Sequence, residues 1–104
     1  MNKNKNKNMK LETALRTKEG DVFRSAGIPT FSARLSESKT YRARGDAKPL
    51  YAGRGMDLFS EKPLRKGDLA VQATIPIVDD SGKKVYVFHN YLELVRRARD
   101  AEPK

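Results

Sequence analysis

Guanidinium, ammonium and phenol groups are the chemical repertoire of this 104-residue chain, whose 22 Lys and Arg against 13 Asp and Glu leave a net charge of +9. An excess of that sign attracts polyanions and speeds their encounter, and nucleic acid is the commonest polyanion. Lys3, Lys5, Lys7 and Lys10 fall in an arm that mostly alternates lysine with asparagine. Arg34, Arg42 and Arg44 alternate with the apolar residues Ala33, Leu35, Tyr41 and Ala43. Arg54 sits between Gly53 and Gly55 close to Tyr51, which pairs a guanidinium for phosphate with an aromatic face for a base. Arg96, Arg97 and Arg99 form a secondary group near the end.

Covalent and metal chemistry have little material. The absence of cysteine removes disulfides, thiolate zinc sites and thiol nucleophiles. His89 is the sole histidine and hence the one catalytic candidate, but no Gly-x-Ser-x-Gly turn accompanies any serine. One histidine without cysteine argues against a transition metal, and no Walker-type loop ends in Gly-Lys-Ser/Thr. We therefore expect no metal and no cofactor, and an enzyme only as an alternative to a binding role. Asp21 with Glu37-Ser38-Lys39 follows the carboxylate…Glu-x-Lys order of some Mg²⁺-dependent nucleases, but a turn at Glu37–Lys39 is a poor place to fix a metal. Thr40-Tyr41 and Tyr51-Ala52-Gly53, with Arg54 beyond, resemble the paired-tyrosine hairpin of GIY-YIG nucleases. The likeness departs at the first glycine, and Glu61 stands where that family carries a helix arginine, so membership is not inferred.

The elements that must position these groups follow from periodicity. Residues 1–8 read as a disordered arm and 9–104 as a single domain. Leu11, Ala14 and Leu15 predict a helix over Met9–Glu19, ended by Gly20. Alternation predicts strands at Asp21–Ser25, Pro29–Leu35, Thr40–Arg44 and Leu50–Gly53. Pairing Leu35 with Tyr41 and Ala33 with Ala43 would set Arg34 opposite Arg42, with Arg44 beside them, as an arginine row on one solvent face. Met56, Leu58 and Phe59 are expected to anchor the loop after Arg54 in the core.

Leu69, Val71, Ala73, Ile75 and Ile77 alternate into the turn Asp79–Lys83, which predicts a hairpin with Ile77 opposite Val85 and Ile75 opposite Val87. Pro76 cannot donate to a ladder, so its strand should be an edge strand or carry a bulge. Pro76, Tyr86 and Phe88 are then candidates for protein contact. Asn90 and Glu93 read as the capping box of a closing helix with Tyr91, Leu94, Val95 and Ala98 as its apolar stripe. The expected fold is α+β, a small mostly antiparallel sheet that could close in part as an SH3-like barrel, with short N-terminal and C-terminal helices.

No apolar run approaches the roughly 20 residues that cross a bilayer, and no signal peptide opens the chain, so a soluble, cytoplasmic protein is expected. The leading functional reading is a small non-enzymatic accessory protein that binds nucleic acid or a ribonucleoprotein through an arginine face and a lysine arm. A second is a bacterial- or phage-type interaction module that docks on an acidic surface of a larger nucleic-acid-processing complex. A third is a metal-independent ribonuclease or toxin-like enzyme using Arg, Lys and Tyr with His89.

Overall fold

A computed structural model describes residues 9–30 and 33–98, and its architecture builds outward from one hairpin. β5 (Gln72–Val78) and β6 (Lys84–Phe88) pair antiparallel, with Ile77 opposite Val85, Ile75 opposite Val87 and Pro76 opposite Tyr86, as alternation predicts. The Asp79 N–H donates to the Lys83 carbonyl at 3.0 Å, and Gly82 turns at φ 83°, a left-handed value that glycine adopts without a Cβ penalty. The alternate residues Ala73, Ile75, Ile77 and Val87 are buried on one face.

Around this hairpin the chain runs α1 (Leu11–Leu15), β1 (Val22–Ser25), β2 (Thr40–Arg42), β3 (Lys48–Ala52) and β4 (Phe59–Ser60) before it, and a 3₁₀ turn (His89–Tyr91) and β7 (Leu92–Arg96) after it. One sheet has the order β2-β1-β7 and the other β4-β3-β5-β6. Every pairing among the described residues is antiparallel. Both sheets contribute to one core, where Phe23, Tyr41 and Leu92 meet Ile75, Ile77 and Val87. Each such large side chain contributes about 1.5–3 kcal/mol through burial, which outweighs the weak local preferences of short elements. The molecule is thus a small α+β domain built on antiparallel sheets, and among the described residues no helix is long and apolar enough to cross a membrane.

Several expected elements differ. The closing helix is replaced by β7, which pairs with β1 through Leu94 opposite Phe23 and Leu92 opposite Ser25. Leu92-Glu93-Leu94 alternates as well as it fits a helical stripe, and the strand buries Leu92 fully. Asn90 caps nothing: its side-chain oxygen has no hydrogen-bond partner among the described residues. The first helix is one short turn rather than Met9–Glu19, with Ala14 buried and Leu15 38% exposed. Pro29, Thr30 and Ala33–Leu35 form no strand, so the Arg34–Arg42 hairpin does not exist; β2 pairs instead with β1, Tyr41 opposite Phe23. Met56 and Leu58 are 96% and 81% exposed, so neither anchors its loop in the core.

Pro76 also sits differently. β5 is an interior strand, but β3 pairs with it only over Gln72–Thr74 and has ended by Pro76. There the Pro76 carbonyl accepts the Arg44 N–H at 2.8 Å, so it points away from β6 and the missing proline donor deprives no ladder partner.

Candidate functional site

An arginine face does form, with different members from those the sequence suggests. Arg42 on β2 stands opposite Val22 on β1, and Arg96 on β7 stands opposite the same Val22. Directly opposed residues share a sheet face, so Arg42 and Arg96 flank Val22 at about 10 Å, two strand spacings. A register shift makes this possible. Between Phe23 and Val22 the β1 chain advances one residue, while its partner advances two, from Leu94 to Arg96. With one-to-one pairing Val95 would oppose Val22 and Arg96 would turn to the core side; the bulge re-aims the arginine outward.

The adjacent row holds Thr40, Arg24 and Glu93. Arg24 donates to one Glu93 oxygen through Nε at 2.9 Å and Nη2 at 2.7 Å. Arg42 and Arg96 are exposed, and neither makes an ion pair with a carboxylate among the described residues. Three guanidiniums against one carboxylate leave this face a net charge of two, with two arginines free to meet an external anion. No protein-family model, curated protein or solved structure matches the chain. What the face can do is therefore argued from its own geometry.

The other candidate cations are dispersed. Arg34 is exposed, and its backbone is clamped to the β5–β6 turn: its N–H donates to Asp79 Oδ2 at 3.0 Å and its carbonyl accepts the Asp80 N–H at 2.8 Å. The Ser81 hydroxyl, then the Arg34 N–H, hold the Asp79 carboxyl well below its ordinary value against the opposing effect of burial. Asp80 is likewise lowered, first by the Ser36 hydroxyl and then by the Tyr41 hydroxyl, which donates to it at 2.8 Å. Arg44 is exposed beyond the end of β2, beside Pro76. The expected Arg34/Arg42/Arg44 row is therefore corrected to Arg42, Arg24 and Arg96.

Arg97 is a structural residue. Its Nη1 donates to Asp21 Oδ2 at 2.7 Å and its Nη2 to the Thr13 carbonyl at 3.1 Å. Asp21 is buried, which alone would raise its pKa, but the Ala98 and Lys18 N–H groups and the Arg97 guanidinium outweigh burial and lower it. Its oxygens are thus engaged by Lys18, Arg97 and Ala98, and no group of three or more His, Cys, Asp and Glu placed to hold a metal is found among the described residues. Lys10 is exposed at the start of α1, whereas Lys3, Lys5, Lys7 and Arg99 lie outside the described residues.

Arg54 is exposed in the β3–β4 loop, where a Cβ on Gly53 would overlap the Asp57 carbonyl. It lines a recess of about 280 Å³ with Leu64, Arg65 and Asp68, and Tyr51 is not among the walls. His89 is only 8% exposed with Nδ1 3.4 Å from the Ala73 backbone, and burial lowers its pKa, which describes a neutral core residue. Pro76 is buried and unavailable for docking, while Phe88 is half-covered by Phe59 and Tyr91 at centroid distances of 5.5 and 6.5 Å. Tyr86 remains accessible.

Sequence reasoning missed Arg24. Its alternation with Phe23 was a usable signal, but the partner strand that completes the face lies 69 residues away at Glu93.

Proposed function

We propose that this protein is a small non-enzymatic nucleic-acid-binding accessory protein that contacts phosphates through the outer face of the β2-β1-β7 sheet. The observation that carries this is the bulge that sets Arg96 level with Arg42 across Val22, neither arginine meeting a carboxylate among the described residues. Like charges so placed repel each other, and an anion between them relieves that repulsion. Lys10 and the lysine arm before it add sequence-independent attraction. The fold is read in its finer form as a partly closed SH3-like barrel, because the strand after the last hairpin returns to the first and the Arg44–Pro76 bond links the sheets.

The test is affinity for generic DNA and RNA at two salt concentrations. Arg42→Ala with Arg96→Ala should flatten the log–log salt slope by roughly 1.4–1.8, the share of two phosphate contacts. Binding that ignores salt, or is absent at low salt, defeats the reading.

A second reading has one observation in its favour. Met56, Leu58, Leu64, Leu69 and Val71 are all exposed large apolar residues within one stretch of chain. Such a stretch suits docking on a larger nucleic-acid-processing complex. A partner that survives nuclease treatment and is released by Leu58→Ser with Leu69→Ser supports it over the first.

A further inference from the structure

The solvent face of the four-stranded sheet presents a second arrangement, independent of the arginines. Tyr86 on β6 is 44% exposed. The Lys48 ammonium from β3 lies 4.8 Å from its ring centroid, and the Lys84 ammonium 5.9 Å away. Neither lysine pairs with a carboxylate among the described residues. A groove of about 520 Å³ opens beside the ring, walled by Lys48, Pro49, Leu50, Glu61, Thr74 and Tyr86.

We propose that this groove holds one nucleotide unit of a single-stranded nucleic acid, the base against the Tyr86 ring and the phosphate between Lys48 and Lys84. A base is a flat, largely apolar plate with a polar edge, and Pro49, Leu50 and the phenol ring supply apolar walls. The Thr74 hydroxyl and Glu61 carboxylate supply polar groups at the margin, a carboxylate being an acceptor for an exocyclic amine. Both ammoniums lie near one ring, Lys48 as a wall of the groove and Lys84 outside its lining, and the ring quadrupole attracts them without neutralising them, which leaves both charges available to a phosphate. The groove volume lies in the range of small-molecule sites. Bases of a duplex are stacked and paired and cannot enter, so the groove selects strands with free bases.

This rests on the nucleic-acid reading but predicts something that reading does not, a preference for single strands. Fluorescence anisotropy with a short labelled single strand, the same sequence as a duplex, and a mononucleotide separates the two. Tyr86→Ala should weaken single-strand binding by about fivefold or more and leave duplex binding unchanged, while Tyr86→Phe, which keeps the ring, retains affinity. Lys48→Gln with Lys84→Gln should flatten the single-strand salt slope by roughly 0.7, the share of one phosphate. Arg42→Ala with Arg96→Ala should weaken both polymers. Tyr86→Ala that weakens strand and duplex equally, or neither, overturns the groove while leaving the arginine face standing. A mononucleotide that binds as tightly as the strand overturns the strand as the ligand. Wild-type protein that binds no polymer but binds the mononucleotide through Tyr86 ends the arginine reading and likewise overturns the strand as the ligand; binding of none of the three probes ends both.

Discussion

Arg96 and Arg97 are neighbours in sequence with opposite fates. Arg96 is exposed and meets no carboxylate among the described residues, while Arg97 reaches the buried Asp21 carboxylate and the Thr13 carbonyl. Removing one member of a buried pair leaves the other charge without compensation, so Arg97→Ala should cost about 3 kcal/mol of stability in urea denaturation. Arg97→Lys keeps the charge but not the planar fork that serves both acceptors, and should fall between wild type and alanine. Arg96→Ala should leave stability within about 0.5 kcal/mol, since surface positions seldom matter more. Equal losses for the two alanine variants would contradict the assignment of roles. The dipeptide Arg-Arg held no indication of which residue would turn inward; the bulge decided it.

The elements that were legible are those whose determinants sit close together in sequence. Ile75, Ile77, Val85 and Val87 with Gly82 specify the β5–β6 hairpin and its register within one short window. β7 was illegible for the opposite reason: Tyr91, Leu94 and Ala98 suit a helix, and only the free edge of β1, far away in the chain, makes the strand preferable. The same distance hid the arginine face, since Arg24, Arg42 and Arg96 come from three strands that local patterning never juxtaposes. The β3–β4 loop is more local. Its Gly53 N–H donates to the Leu58 carbonyl at 3.0 Å, and the backbone passes too close to admit a side chain. Gly53→Ala should therefore destabilise by about 1–3 kcal/mol in a thermal melt, and Gly55→Ala, strained only by its φ of 67°, should cost less.

For the molecule as a whole, acid should lower stability in two steps. Burial lowers the His89 pKa from its ordinary 6.5, so its contribution is complete above 6.5 and declines as pH falls below it toward the folded value. Asp21, Asp79 and Asp80 are all depressed below 3.8, so their stabilisation is complete above 3.8 and is lost as pH falls through the lower folded values. Chemical denaturation at pH 7.5, 5 and 3 should show both losses, and His89→Gln should remove the first alone. A flat profile between 7.5 and 5 would place His89 in water instead. The Asp21–Arg97 pair and the Met9–Leu92 hydrogen bond join the beginning of the described chain to its end. β1 cannot find its second neighbour until β7 has been made, so a nascent chain on the ribosome must wait, its first strand half-partnered, until Arg97 has left the exit tunnel.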